Sequence, residues 1–417
     1  MTEDRVDLAI TGAHLWREEA PRDLFVHDGR FVPAPSGGTG AAERTIDAAG
    51  RLCVAGFLEP HIHLDKAQIN DDVRPNRSGT LAEAIEIIWA RKRAYTVEEI
   101  TARAMGTIRT AVAHGVTRFR SHVDVDSIGG LRPLEGVLEA RERTRDIADV
   151  QIVAFPQEGI FRDEGTDELM WQAMEAGADL VGGMPFNETT PEDSARHIAL
   201  AFEIAAHHDA DIDMHVDETD DPDAKTLEVL AGQTMENGWQ GRVTAGHTCA
   251  LAGYGEDYAN RVIGLVRDAR IHMIVNPATN LMLQGRGDAQ PKRRGITRVK
   301  ELLEAGVNVS CGQDCIRDTF YPYGRGDPLE VMFLASHAAH MSRPHEIETV
   351  FDMQTGAAAR AMRLEDYGAE PGCVADLVII DAADPLEALT RRADRTHVIK
   401  RGRVVAETVT QRRTAWA

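Results

Sequence analysis

The chain has 417 residues, 43 % of them hydrophobic, and a formal net charge of −21. That supplies enough apolar material for a large core, and more length than one small domain needs. So acidic a balance argues against nucleic acid or an anionic membrane surface as partner, and no run of about 18 apolar residues is present to predict a membrane span.

The five cysteines, Cys53, Cys249, Cys311, Cys315 and Cys373, are odd in number and form no Cys-x-x-Cys pair. This is not a disulfide framework, and it predicts a reducing, cytoplasmic setting. The first residues, Met1 to Asp7, are charged and lack the apolar core of a secretory signal.

In chain order, Val6 to Gly12, Asp23 to Gly29 and Arg30 to Pro33 read as short strands and turns, followed by a Gly/Pro/Ser-rich loop to Gly40. Near the other end, Ala375 to Asp381 and Thr396 to Val405 are strand-like, with Arg401-Gly402 as a turn. Two β segments flanking a long middle predict one small accessory β domain built from both termini, residues 1–55 and 366–417. The middle, 56–365, alternates strands with amphipathic helices, the pattern of parallel βα units. Eight strands are predicted: Cys53 to His63, Thr117 to Val125, Val150 to Glu158, Asp179 to Phe186, Asp211 to Asp217, Arg242 to Cys249, Ile271 to Asn276, and Val307 to Asp314. Helical patterns include Leu81 to Arg93, Val97 to Ala113, Ala195 to His207 and Lys225 to Asn237. The expected fold is α/β, a (β/α)8 TIM-like barrel with its site at the C-terminal strand ends.

Those ends carry polar residues. Strand 1 ends in His61 and His63, two apart and therefore on one face. Strand 3 ends in Gln157 and Glu158, strand 5 carries His215 with Glu218 after it, strand 6 ends in His247, and strand 8 ends in Asp314. Singly, each has a plainer reading: His215 a core histidine, Asp314 a helix cap, Glu218 part of a solvated acidic loop, His247 a backbone partner. Jointly, three histidines and one carboxylate on one rim suit a divalent transition metal with a place left for water. Glu218 and His247 remain to move protons. His122 reads as structural or as a support behind the ligands, Asp65 and Lys66 as loop residues, and Lys292 to Arg294 as a solvated basic face.

Pro60-His-Ile-His-Leu-Asp65, Val153-Ala-Phe-Pro-Gln-Glu-Gly-Ile160, His215-Val-Asp-Glu218, Gly246-His-Thr248, Leu283-Gln-Gly-Arg286, the stretch Pro291 to Lys300 and Gly312-Gln-Asp314 together resemble the bacterial cytosine deaminases of the amidohydrolase superfamily. Relatives within that family include N-alkylammelide aminohydrolases and isocytosine deaminases. The resemblance runs from about residue 55 to the C-terminus. It implies a distorted barrel beside a terminal β-sandwich, and one divalent ion, Fe2+ or Zn2+, held by His61, His63, His215 and Asp314. It implies Glu218 as proton shuttle, with Asp314 and His247 taking the water proton. Gln157 matches the glutamine that reads the pyrimidine's amide edge. Binuclear relatives use a lysine at the end of strand 4, where this chain has Val181-Gly-Gly-Met-Pro-Phe186.

The chain departs from the family at three positions. A second aspartate becomes Cys315, the histidine before the metal aspartate becomes Gln313, and a tryptophan after the loop becomes Phe320. Cysteine removes a charge beside the ring C5 edge and leaves a smaller, softer wall. The expected substrate is therefore cytosine, 5-methylcytosine or both. Another cyclic amidine, such as isocytosine, creatinine or an N-alkyl amino-s-triazine, is the second reading. A catalytically silent barrel serving as a scaffold is the third, against which all four ligand positions and Glu218 stand. The sequence carries no interface signal that decides for or against a homo-oligomer.

Overall fold

A computed structural model describes residues 5–411 and 413–415. The outermost parts of the expected terminal segments, 1–4, 412 and 416–417, lie outside the described residues.

Eight parallel strands follow one another in unbroken order around a barrel. They are Phe57–Ile62 (β6), Val116–Asp124 (β7), Asp149–Phe155 (β8), Leu180–Gly183 (β9), Asp211–Val216 (β10), Val243–His247 (β11), His272–Val275 (β12) and Val309–Cys311 (β13). All of β6 and β7 is buried, as expected where helices cover the outside of a parallel sheet. The ring closes between β13 and β6 by an isolated parallel bridge pairing Ile62 with Asp314.

The predicted strand Cys53 to His63 is in fact two. Leu52–Ala55 (β5) belongs to the terminal sheet and β6 to the barrel. The break falls at Gly56, where a Cβ would meet the Thr117 Oγ1 at 2.3 Å. Only glycine lets the chain cross that closely from one sheet to the other. Strands 3 and 8 also end earlier than predicted, which leaves Gln157 and Asp314 just past β8 and β13.

Helices start where threonine caps stand. Thr80 and Thr96 accept from the backbone N–H of Glu83 and Glu99, opening Leu81–Lys92 and Val97–Ala113. The helix predicted from Ala195 begins earlier, at Pro191, because Thr190 caps it and proline suits the first turn. No helix among the described residues is long and apolar enough to cross a membrane.

The terminal strands are Val6–Leu15 (β1), Arg22–His27 (β2), Arg30–Val32 (β3), Ala42–Asp47 (β4) and β5, then Leu377–Ile380 (β14), Arg395–Lys400 (β15) and Arg403–Glu407 (β16). They form one mixed sheet in the order β16-β15-β14-β5-β1-β2-β3, with β4 beside β1. The two ends of the chain meet where β5 pairs antiparallel with β14, Val54 opposite Val378. Leu8, Ile10, Leu24, Leu377, Ile379 and Ile399 share one apolar cluster. At the predicted turn, Arg401 and Gly402 both take positive φ, the geometry of a tight hairpin. Lys400, fully buried, donates at 2.7 Å to both Asp376 and Asp149, and so ties this sheet to the barrel. The basic stretch Lys292 to Arg294 is exposed, as expected.

Candidate active site

Strand alternation turns His61 and His63 inward at the end of β6. His63 Nδ1 lies 3.1 Å from the carbonyl oxygen of His122. Only an N–H can make that bond, so the free lone pair of His63 is on Nε2. That Nε2 faces His215 Nε2 at 3.1 Å and Asp314 Oδ1 at 3.3 Å. His61 Nε2 stands 3.7 Å from the same carboxylate oxygen.

These groups are buried, and several lack partners. Both ring nitrogens of His61, Nδ1 of His215 and Oδ2 of Asp314 have none. Burial pushes the pKa values of His61 and His215 well below 6.5, so both rings are neutral lone-pair donors at neutral pH. Burial alone would raise the Asp314 carboxyl, but His247 and His63 outweigh it and hold it below its usual range. Buried polar atoms normally find partners. One cation among three imidazoles and a carboxylate satisfies the set together, so the residues present fit a divalent transition ion.

His247 stands in the same cluster, with a ring nitrogen within 4.8 Å of donor atoms of His61, His215 and Asp314. Its ring, however, already has neighbours. Asn276 Nδ2 is 3.1 Å from Nε2, Asn280 Nδ2 is 3.0 Å from Nδ1, and Glu218 Oε1 is 3.1 Å from Nδ1. Burial would lower the His247 pKa, but Glu218 and Asp314 outweigh it and raise it. His247 is thus suited to carry a proton beside Glu218.

Glu218 lies in the loop after β10. Its neighbour Asp217 anchors that loop by accepting from the backbone N–H of Thr226 and Leu227, the first residues of helix Thr226–Glu236. Asn280 donates to Glu218 Oε1 at 3.0 Å. Glu218, His63, His215 and Asp314 line one cavity together with Gln157, Phe155, Cys315 and Phe320. The sequence-predicted residues therefore do come together. Glu158 does not: it turns away toward Lys92, at 3.8 Å.

The Cys315 thiol sits 3.7 Å from Asp314 Oδ1. Burial, reinforced by Asp314, pushes its pKa well up, so it faces the cavity neutral. Gln313 is held behind the site, its backbone N–H donating to Glu59 at 3.0 Å and its side chain to the Cys315 carbonyl at 3.2 Å.

Asp65 and Lys66, read from the sequence only as loop residues, are held inside the fold. Both are in a turn, yet both are buried. Lys66 lines the cavity, and its Nζ donates to Asp124 Oδ1 at 2.7 Å and to Gln157 Oε1. Burial and the neighbouring Asp124 charge raise the Asp65 carboxyl. The lysine was missed because its partner Asp124 is 58 residues away in sequence. Asn276, Thr279 and Asn280 were also missed. Their i, i+3, i+4 spacing around Pro277 places them on one face of the short helix after β12. His122 is fully buried, as a structural reading requires, with Nε2 3.5 Å from Asp213.

With that geometry in view, comparison with known proteins gives a consistent picture. A family model described as "Amidohydrolase family" matches residues 44–406. The chain is 31 % identical to the N-isopropylammelide isopropyl amidohydrolase of Pseudomonas sp. (strain ADP) over 96 % of its length and 97 % of that protein. It is 33 % identical to the pterin deaminase of Rhizobium rhizogenes, covering 92 % of this chain and 87 % of that one. Among solved structures, the 5-methylcytosine deaminase of Klebsiella pneumoniae, liganded with 5-fluorocytosine, superposes with a TM-score of 0.93 at 38 % identity, over 98 % of this chain and 99 % of that one.

Proposed function

The chain belongs to the amidohydrolase family, and on that premise we propose that it is a metal-dependent hydrolytic deaminase of a free nucleobase, converting cytosine, 5-methylcytosine or both to uracil or thymine and ammonia. One observation carries the reading. Glu218 shares a single cavity with the convergent donors His63, His215 and Asp314 and with an amide, Gln157, suited to a ring edge.

His61, His63, His215 and Asp314 would hold a divalent ion, Fe2+ or Zn2+, which when bound would supply Lewis acidity and lower the pKa of a water. The chain's own groups do the rest. Glu218 gives a proton to the ring nitrogen next to the carbon that carries the amino group, so negative charge does not build up there as the water oxygen bonds to that carbon. Asp314 and His247 take the proton released by the water. Glu218, kept in place by Asn280 at 3.0 Å, regains that water proton through His247 at 3.1 Å and passes it to the amino nitrogen. The carbon–nitrogen bond breaks, ammonia leaves, and the proton still on the added oxygen returns to Glu218, which leaves a carbonyl on the ring. The aromatic and apolar walls Phe155, Phe320 and Met184 keep bulk water from the ring.

Cys315 supports a methyl-tolerant pocket, because a neutral thiol there presents no charge to a ring substituent. A second reading, the same chemistry on an N-alkyl amino-s-triazine, is favoured by the 31 % identity to the N-isopropylammelide enzyme. The test is ammonia release by metal-loaded protein from cytosine, 5-methylcytosine, isocytosine, creatinine and an N-alkylammelide, with alkylamine release measured for the last. Turnover of either cytosine supports the reading; turnover of only another ring overturns the substrate and keeps the mechanism.

A further inference from the structure

Gln157 is held in one orientation by a neighbour the chemistry above does not use. Its Oε1 accepts from Lys66 Nζ. Its Nε2 is buried with no partner. A carboxamide can normally turn by about 180° and offer either end, acceptor or donor. An ammonium group only donates, so Lys66 forbids the flip and leaves the amino end of Gln157 as the one free to meet a ligand.

Lys66 is itself fixed. Asp124 accepts from it at 2.7 Å and also lies 2.6 Å from Lys92, which stands 2.5 Å from Asp126. All four charges are buried, at 1 % exposure or less. The Lys66 ammonium also lies 5.4 Å and 5.9 Å from the ring centres of Phe155 and Phe320, two walls of the cavity. The Gln157 main chain is held from the other side by Asn187 Nδ2, 2.9 Å from its carbonyl oxygen. The lysine is thus tethered by Asp124, and Gln157 by the lysine and by Asn187.

We infer that Lys66 is a positioning residue that sets specificity. By locking the Gln157 amide it makes the cavity accept rings carrying a carbonyl oxygen at the position facing Gln157 Nε2. It excludes rings carrying an amino donor there. The inference rests on reading the cavity as the substrate site and names the class of ring that site takes: oxo-amino heterocycles, not diamino ones.

The experiment uses pairs of rings that differ by one carbonyl-to-amino replacement, cytosine against 2,4-diaminopyrimidine and ammeline against melamine. Binding to the full-length protein is measured by calorimetry, and turnover by ammonia release. The wild type is expected to favour the carbonyl member of a pair by ten- to hundredfold, the scale of one unsatisfied buried donor. Lys66→Met is expected to shrink that ratio about tenfold or more, raising KM for the carbonyl ring more than it lowers kcat. Gln157→Glu keeps the Lys66 partner but turns the free end into an acceptor, and should reverse the preference. It decides the matter if Lys66→Met does not fold. An unchanged ratio in Lys66→Met, no reversal in Gln157→Glu, or a wild type that binds neither or both members of each pair alike would overturn the inference. Discriminating binding without deamination of any ring would sustain it while overturning the proposed reaction.

Discussion

The backbone N–H of Asp314 donates to the carbonyl oxygen of His61 at 2.8 Å, and the His63 N–H reaches the Asp314 carbonyl at 3.3 Å. The bonds that close the barrel therefore also set three of the four donor residues side by side. Asp314 adopts φ +64 to do so, a left-handed conformation that asparagine tolerates and β-branched residues do not. Asp314→Asn should thus keep the unfolding midpoint of the metal-free protein near wild type while lowering metal affinity by tenfold or more. Asp314→Val should lower that midpoint as well, by a strain on the order of 1–3 kcal/mol. Metal analysis beside thermal unfolding of both variants checks the split, and equal midpoints would contradict it.

Glu218 touches no metal-donor atom in the hydrogen-bond pattern; its partners are Asn280 and His247. Glu218→Gln keeps the shape and the acceptor for Asn280 but cannot shuttle a proton. The expected loss in kcat is about 10²- to 10⁴-fold, with metal content unchanged. Loss of metal in this variant would move Glu218 into the binding set.

Much of this was legible because polar residues at strand ends are few and the strand pattern is strong. His61, His63, His215, His247 and Asp314 each fall at or just past the end of a predicted strand, and a parallel barrel brings such ends onto one rim. The meeting of the termini was legible only as two β segments, since the pairing of Val54 with Val378 joins residues no local pattern connects. Lys66 was illegible for a different reason. Local sequence shows a lysine in a turn, and only the fold shows Asp124 and Gln157 closing around it. The end of β8 at Phe155 falls where Pro156 follows, a residue with no N–H to continue the ladder.

His272, in β12, gives the protein an acid limit unrelated to catalysis. Burial, helped by Arg120, lowers its pKa from 6.5 to about 4, and its Nδ1 lies 3.0 Å from Asn308 Nδ2. Above pH 6.5 the ring is neutral in both the folded and unfolded chain, and its contribution is intact. As the pH falls from 6.5 toward 4, the unfolded chain takes a proton that the fold refuses, so stability declines. The cost reaches on the order of 2–3 kcal/mol at the lower end. His272→Asn keeps an acceptor for Asn308 and cannot titrate, so it should lose correspondingly less stability between pH 7 and 4.5 in urea unfolding. Parallel losses in the two proteins would refute this.

Lys400 joins the terminal sheet to the barrel through Asp376 and Asp149, both at 2.7 Å. Asp149 is partly exposed and retains Arg401, but Asp376 is only 3 % exposed. Lys400→Met fills the space and leaves the Asp376 carboxylate with only the more distant Arg118 guanidinium, at 3.5 Å, so the loss should fall somewhat short of that for a buried charge with no partner. Removing one partner of a buried pair costs about 3–5 kcal/mol. The unfolding midpoint should fall, while metal content and ligand discrimination stay as in the wild type, because the site lies at the opposite ends of the strands. A variant with wild-type stability would show that the sheet is held by its apolar face alone.

The last prediction concerns the ring substituent. Cys315 stands 3.7 Å from Asp314 Oδ1, in a wall completed by Ala278, Tyr321 and Phe320. A carboxylate in its place would bring a second negative group beside Asp314, in a buried setting where like charges oppose each other strongly. It would also set a polar, hydrated group where a methyl substituent is expected to lie. Cys315→Asp should therefore shift the ratio of kcat/KM for 5-methylcytosine over cytosine toward cytosine by about tenfold, the scale at which a hydrophobic pocket reads one methyl group. Cys315→Ala should leave that ratio within a few-fold of wild type, since it keeps the wall apolar. If Cys315→Asp left the ratio where it was, the thiol would be packing against Tyr321 and Phe320 without reading the ring, and the tolerance for a methyl group would have to come from another wall.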